Sequence, residues 1–385
     1  MDTGQNSMNR LVKKNWTSGG VRRGHIPSNI EIKGPEDVSS SACDSASDPH
    51  HARKMPRFVT QSIGALETKY NLINREERQK LREASSEPGS EYSSVISRLK
   101  ENSKKNRYSD VLPYDRNRVK LDVSQGHSDY INASHVKVET DQTEVKSYIA
   151  SQGPLASTMA AFWQMCYSET KSDTIVIVMV TPISEGGSEK CYKYWNDQGS
   201  LEIPANGGFR SSLQINHVSS QNVENHFILT ELEVVPDDRT MSPKRCFHLY
   251  YYNWADFSAP SSFGPIVLLS NMASDLRNRS DRTDPIVTHC SAGVGRTGTF
   301  ITLDYLLTNG SGLLSNSMQL FQDEERSNLT TPSQDQDPDP IFQIVRQLRS
   351  QRLMMVQRFE QFVFLYKSSL RYYLDVVVGD KEVCP

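Results

Sequence analysis

The sequence predicts an α/β fold, a single domain with a central twisted mixed β-sheet flanked by helices. Three observations carry this reading. Helix-like and strand-like patterns interleave along the chain, no segment repeats, and no second composition regime follows the first 57 residues. The chain has 385 residues, 36% of them hydrophobic, enough for one large domain or two smaller ones. With no internal boundary visible, one domain is expected over 58–378, with a tail at 379–385.

Residues 1–57 are poor in aromatics and rich in Ser, Gly, Asn, Asp and Pro, so they bury too little to fold alone. A disordered basic arm is expected there, with Arg10, Lys13, Lys14, Arg22 and Arg23 set against Asp2 near its start. A solvated tail is the plain reading, and a docking or regulatory segment the functional one. From about 62 to 105 the pattern is helical, as in "REERQKLREA". Residues 106–155 read as short strands and turns, with "SQGPLAS" a turn. Ser157 or Thr158 then caps a helix running through Phe162, Trp163, Met165 and Cys166. "TIVIVMV" is apolar without alternation and predicts a buried strand. "CYKYW", "SLQINHV", "FILTELEVV" and "CFHLYYY" also read as strands, several alternating. "DPIVTHC" is a strand ending at Cys290, and "RTGTFITLDYLL" a helix starting near Arg296. Residues 308–340 are polar, with six acids against one base, Arg326, and predict an exposed inserted loop. Ile341, Ile344, Val345 and Leu348 then mark one face of a helix. A last helix is expected from about Glu360 to Asp375.

Several function classes drop out. A formal net charge of −3 argues against a nucleic-acid grip. The longest apolar run, "IVIVMV" at 175–180, is far short of the ~18 residues of a membrane span. The opening "MDTGQNSMNRLVKKN" lacks the apolar core of a secretory signal. Cys43, Cys166, Cys191, Cys246, Cys290 and Cys384 form no CxxC pair, so neither a zinc ribbon nor a thioredoxin-type pair is indicated. Scattered thiols read as a reducing, intracellular protein. There a special cysteine is a nucleophile more readily than half of a disulfide.

One turn stands out, "VTHCSAGVGRTGTF" at 287–300. Ser291, Ala292, Gly293, Val294 and Gly295 lie between a strand and a helix. Five small residues there can curl so that successive N–H groups point at one spot. The helix N-terminus adds partial positive charge. Arg296 closes the ring with a planar donor matched to phosphate oxygens. The expected result is an anion cradle with a sulfur at its floor. A free thiol has a pKa of ~8.5, lowered to ~3.5–7.5 by helix N-termini and cations. Cys290 is then a thiolate placed to attack a phosphate ester in line, giving a thiophosphate intermediate that water opens. No metal or cofactor is needed, since the backbone donors and Arg296 offset the charge. An ordinary Gly-rich turn is the plain alternative for Cys-x5-Arg alone, but "HCSAGVGRTG" specifies many positions together. No Lys follows the glycines as in a nucleotide-binding G-x-x-x-x-G-K-[ST] loop. A Cys–His protease pair is disfavoured because His289 adjoins Cys290 and should point the other way.

At this turn the sequence resembles the catalytic domain of protein tyrosine phosphatases of the phosphotyrosine-specific, non-receptor type. Other blocks agree in order: "KNRYSDVLPYDRNRVKL", "DYINASHV", "YIASQGPL", "FWQMCY", "EKCYKYW", "NWADFSAP" and "QRLMMVQRFEQFVFLY". The resemblance spans about residues 62–375, and the long polar insert with a short arm suits a fungal member. It implies the cysteine phosphatase fold, Cys290 as nucleophile and Arg296 as phosphate clamp. It implies Asp256 as general acid, Trp254 as hinge of the loop that bears it, and Gln357 and Gln361 as positioners of water. Thr297 would ease departure of the sulfur, His289 hold its setting, and Glu185 buttress Arg296. Tyr108 would stack on the phosphotyrosine ring and make a cleft too deep for phosphoserine. Asp110 would accept from the substrate backbone. The cradle residues 291–296 would bind the phosphate. Read alone, Tyr108 is loop filler, Asp256 a turn residue, and Gln357 with Gln361 one helix face.

The chain departs from the family pattern in four places. Ala255 replaces the usual Pro before Asp256 and lacks its fixed φ, which predicts a changed balance of open and closed loop. Gly186 follows Glu185 where Lys is common. Ser109 follows Tyr108 where a base often sits, which weakens a preference for acidic substrates. Phe359, after Arg358, is bulkier than usual. The expected activity is metal-free hydrolysis of phosphotyrosine in signalling proteins. The alternatives are a catalytically weak phosphotyrosine-binding pseudophosphatase and a phosphatase of broader reach. By analogy MAP kinases are candidate partners, with a monomer in the cytoplasm and also the nucleus. Oxidation of Cys290 is a further expectation.

Overall fold

The computed structural model describes residues 56–86, 89–140, 145–255, 258–260, 262–309 and 339–375. Residues 1–55 of the expected arm, the tail at 379–385, positions 310–338 of the insert and Asp256 lie outside the described residues.

The domain is entered through a 3-10 turn, Arg57–Thr60, in which Phe58 and Val59 are buried. Helix α1, Ile63–Ser86, buries Leu66, Tyr70, Ile73 and Glu77, spaced as one helical stripe. The helical pattern expected to about residue 105 is broken. Gly89 takes φ 86°, and only the single turns α2 (Val95–Arg98) and α3 (Lys100–Ser103) follow. The Asp115 carboxylate fixes the first of these turns by accepting from Val95 N at 2.8 Å and Ile96 N at 3.1 Å.

Among the described residues the strands are β1 (Arg118–Lys120), β2 (Tyr130–Val138), β3 (Lys146–Ser151), β4 (Thr174–Met179), β5 (Ser184–Glu185), β6 (Ser188–Glu189), β7 (Ser200–Ile203), β8 (Leu213–Val223), β9 (Phe227–Pro236), β10 (Lys244–Tyr250) and β11 (Ile286–His289). Nine of them form one sheet in the order β1-β2-β3-β11-β4-β10-β9-β8-β7, and β5 with β6 forms a separate ribbon. The central neighbours β3, β11, β4 and β10 run parallel, and the outer pairings are antiparallel. This is the mixed sheet expected. Every residue of β4 is buried, as a strand covered on both faces requires, whereas β8 largely alternates.

Helix α4, Met159–Glu169, covers one face of the sheet with Phe162, Trp163, Met165 and Cys166 against Ile175, Ile177 and Met179. Thr158 stands at its N-cap but does not cap it with its side chain, because its hydroxyl accepts from Leu155 N at 2.9 Å. Helix α5, Gly264–Asn278, packs on β4 and β10. "CYKYW" is not a strand. Its backbone groups are taken by loops and a side chain: Cys191 N donates to Ile183 O, Tyr192 N to Pro154 O, and Tyr194 O accepts from the Trp163 indole.

Helix α6 occupies residues 295–309, α7 Pro340–Gln351 and α8 Phe359–Tyr372. Residues 308, 309 and 340, expected in the inserted loop, are therefore helical. Asp339 is the N-cap of α7, accepting from Phe342 N at 3.1 Å. Its second oxygen takes Gln61, Lys69 and Tyr366, which joins α1, α7 and α8. Ile341, Ile344, Val345 and Leu348 are all buried, as their spacing predicted.

Candidate active site

Strand β11 ends at His289, and Cys290 follows at the C-terminal edge of the parallel centre, where α/β folds place their sites. From Cys290 to Gly295 the chain curls into the start of α6. Gly293 takes φ 72°, and a Cβ there would stand 2.1 Å from Ser151 O. Only glycine fits that position.

Every carbonyl along the curl is held from outside it. Cys290 O accepts from His289 Nδ1 at 3.1 Å, and Ser291 O from Gly153 N at 2.8 Å. Ala292 O and Gly293 O accept from Arg352 at 3.1 and 2.9 Å. Val294 O takes Gly298 N and Val356 N, and Gly295 O takes the Thr299 hydroxyl. In a trans peptide the N–H points opposite to the carbonyl. Six carbonyls pinned outward therefore turn the N–H groups of residues 291–296 inward. One of these bonds can be measured directly, since Gly293 N lies 3.3 Å from Cys290 Sγ and donates to it. The remaining inward donors at the head of α6 make an anion site.

Arg296 closes this ring. Its side chain is 2% exposed, with Nη1 donating to Trp254 O at 2.8 Å and Nη2 3.5 Å from Glu185 Oε2. Glu185 sits on β5, and the ribbon turns through Gly186 and Gly187, at φ 57° and 75°. The left-handed pair makes the tight hairpin that a Lys at 186 would disfavour. On the returning strand Glu189 pairs with Arg107 at 3.1 Å. Arg107 also donates to Gly153 O and Pro154 O, which fixes the neighbouring Tyr108. The Tyr108 hydroxyl lies 2.9 Å from Ser291 Oγ at the cradle. Asp110 is exposed beside it.

His289 is buried. Its Nδ1 faces a carbonyl and must carry the proton, so Nε2 accepts from the Tyr194 hydroxyl at 2.7 Å. Tyr194 has one hydroxyl hydrogen, so His248 Nε2 donates to it at 2.8 Å. His248 Nδ1 then carries a bare lone pair, consistent with its lack of a partner. Burial pushes His289 down to about 4, and pushes His248 down as well. Both imidazoles are neutral, and the chain of donors runs one way toward the carbonyl of Cys290.

Trp254 is fully buried, and its indole donates to Ser258 O at 2.9 Å. Gln361 Nε2 reaches the same carbonyl at 3.3 Å. A Cβ on Gly295 would be 3.0 Å from Gln361 Oε1 and 3.3 Å from Gln357 Cβ, so both glutamines flank the cradle. Thr297 Oγ1 is buried with no hydrogen-bond partner, so a bond from it to the sulfur is not formed here.

The structure thus gathers Cys290, Arg296, Glu185, Tyr108, His289, Trp254, Gln357 and Gln361 around one anion site. Sequence reasoning missed Arg352, Arg107, Tyr194 and His248. Arg352, Arg107 and Tyr194 lie inside blocks quoted for the family resemblance, and that membership was the available signal, whereas His248 lies only in the strand pattern "CFHLYYY".

Residues 102–371 match the family model described as protein-tyrosine phosphatase. The chain belongs to the protein-tyrosine phosphatase family. It is similar to tyrosine-protein phosphatase 1 of Saccharomyces cerevisiae, at 38% identity over 82% of this chain and 96% of that one. It is also similar to tyrosine-protein phosphatase 2 of Schizosaccharomyces pombe, at 35% identity over 90% of this chain and 46% of that one. The catalytic domain of human protein tyrosine phosphatase non-receptor type 18 superposes with a TM-score of 0.63. It is 28% identical over 80% of this chain and 96% of that chain. That human protein has also been solved with HER2 phosphopeptides. As a protein-tyrosine phosphatase this chain is a hydrolase that removes phosphoryl groups, on a single domain with a mixed sheet. No helix among the described residues is long and apolar enough to cross a membrane.

Proposed function

We propose that this phosphatase hydrolyses phosphotyrosine in signalling proteins through a cysteinyl-phosphate intermediate, without a metal. The observation that carries the reading is the ring of outward-pinned carbonyls around Cys290, closed by Arg296. The Cys290 sulfur attacks phosphorus, the bond to the tyrosyl oxygen breaks, and Asp256 protonates that oxygen as it leaves. Water then attacks phosphorus, the S–P bond breaks, and the electron pair returns to the sulfur while Asp256 takes the proton. The cradle donors and Arg296 hold the equatorial oxygens through both steps. Gln357 and Gln361 position the water, and Thr297 assists departure of the sulfur. Asp256 follows Trp254 by two residues, and the carbonyl of Trp254 is held by Arg296, which supports its assignment as the acid.

Tyr108 and Asp110 sort substrates, by the depth of the cleft and by contact with an extended peptide backbone. The phosphopeptide complex of the human relative supports a phosphotyrosine protein as the partner. MAP kinases as that partner, a monomeric state, and a cytoplasmic and nuclear location belong to this proposal. The test is phosphate release from matched phosphotyrosine and phosphoserine peptides in EDTA, with Cys290→Ser and Asp256→Ala alongside. Tyrosine-only release, abolished by the first change and strongly slowed by the second, is expected. Folded protein that binds phosphopeptide without releasing phosphate would instead favour the pseudophosphatase reading, with Ala255 as its cause.

A further inference from the structure

Helix α1 ends before residue 102, where the family match begins, yet it reaches the segment that carries Gln357. Residues 352–358 link α7 to α8. Two of them, Met354 and Val356, hold φ values of 58° and 57°. This left-handed region is sparsely populated for residues with a Cβ, and for a branched residue such as Val356 above all. A backbone of this kind persists only where its surroundings fix it. The fixings are visible. Arg349 of α7 donates to Met355 O, and to Val356 O at 2.9 Å. Buried Glu77 of α1 accepts from Arg349 Nη1 at 2.7 Å and from Met354 N at 2.8 Å. The Tyr70 hydroxyl, also on α1, donates to Gln357 O. The Tyr70 ring is seated against Phe359 and Phe362, with centroids 5.7 and 5.5 Å away. Gln357 in turn stands against the cradle at Gly295, and its Nε2 lies 3.7 Å from Met354 Sδ.

We infer that Tyr70 and Glu77 of helix α1 are positioning residues that hold Gln357 for hydrolysis of the cysteinyl-phosphate. This rests on the hydrolase reading above. Neither residue touches the reacting atoms. Tyr70 pins the Gln357 carbonyl and Glu77 the backbone three residues earlier, so the amide of Gln357 is aimed at the attacking water. The first chemical step, cleavage of the tyrosyl P–O bond, makes no use of that water. Loosening the loop therefore slows the second step and spares the first.

The experiment is rapid-mixing kinetics with a chromogenic aryl phosphate on wild type, Tyr70→Phe, Gln357→Ala and the double variant. Loss of one hydrogen bond predicts a fall in kcat of about fivefold for Tyr70→Phe. kcat/KM stays unchanged, because it reports only steps through the first P–O cleavage, and the burst of released phenol grows. The double variant should be no slower than Gln357→Ala, since Tyr70 acts through that residue. Glu77→Gln should show the same split, and exposed Arg78→Ala should change neither constant. An equal fall in kcat and kcat/KM, an unchanged kcat, or additive effects in the double variant would overturn the inference. Absence of any turnover by the wild type would overturn the hydrolase reading, and this inference with it.

Discussion

Lowering the pH from 7 to 5 should destabilise the protein through the imidazoles buried behind the cradle. Burial is the main cause that pushes His289 down to about 4, and the Cys290 carbonyl opposes it in part. In the unfolded chain a histidine takes its proton near pH ~6.5. Between these values the unfolded state binds the proton and the folded state refuses it. Stability from this group is thus fully present above about 6.5 and is lost as pH falls toward 4. At pH 5 the linkage relation gives a loss of about 2 kcal/mol relative to pH 7 for His289 alone. His248 is shifted in the same direction, so the total is larger. The assay is urea unfolding at pH 7, 6 and 5 at fixed ionic strength, on wild type and His289→Gln. The variant should be less stable at pH 7 and should show a pH slope smaller by about 2 kcal/mol over the same range. Equal slopes in the two proteins would refute the reasoning, as would a gain in wild-type stability below pH 6.

Three further outcomes follow from single contacts. Gly293→Ala places a Cβ 2.1 Å from Ser151 O at φ 72°. The backbone conformation alone costs roughly 1–3 kcal/mol, so a lowered melting temperature and loss of phosphate binding by titration are expected. Arg352→Met leaves Gly293 O, Ala292 O and the Asn132 amide oxygen without their donor. Unfolding free energy should fall by more than about 2 kcal/mol and kcat/KM by over tenfold, measured by denaturant titration and initial rates. Asp304→Asn strands Lys146, whose Nζ lies 2.6 Å from Asp304 Oδ2 in a fully buried pair. A loss of about 3–5 kcal/mol in denaturant unfolding is expected, because the remaining charge keeps only the Ser274 and Thr308 hydroxyls and loses its counter-charge.

Much of this site is legible in the sequence because its chemistry is local. Cys290, the small residues after it and Arg296 are contiguous, and a strand on one side with a helix on the other sets the curl. The sheet was legible for the same reason: β4 is apolar without alternation from Ile175 to Met179, the pattern of a strand covered on both faces. What was not legible depends on distant contacts. "CYKYW" carries the aromatic pattern of a strand, yet its N–H groups find Ile183 O and Pro154 O, partners that only the folded chain brings near. The helix expected to residue 105 stops at Ser86 because a left-handed Gly89 and the Asp115 carboxylate redirect the chain. Arg352 lies in a basic stretch, and nothing local distinguishes it from Arg349 or Arg358. Its role depends on carbonyls some 60 residues earlier in the chain.

The distribution of arginines around Cys290 shows how the site divides its work. Arg352 and Arg107 are directed mainly at carbonyls, although Arg107 also pairs with the Glu189 carboxylate. The first holds those of Ala292 and Gly293, the second those of Gly153 and Pro154. Gly153 in turn donates to Ser291 O. Both cations therefore act on peptide orientation, and through it on where N–H groups point. Arg296 is placed differently, with one carbonyl at 2.8 Å and one carboxylate at the looser distance of 3.5 Å among its contacts. A guanidinium has five N–H donors in a planar fork that matches the oxygens of a bidentate anion. The carbonyl it holds belongs to Trp254, two residues before Asp256. In the mechanism proposed above, phosphate binding and placement of the segment that carries Asp256 would thus share the Arg296 side chain. We propose that Ala255 is for that reason the informative position: where proline would preset the backbone, alanine leaves the Arg296–Trp254 bond a larger share in holding the segment.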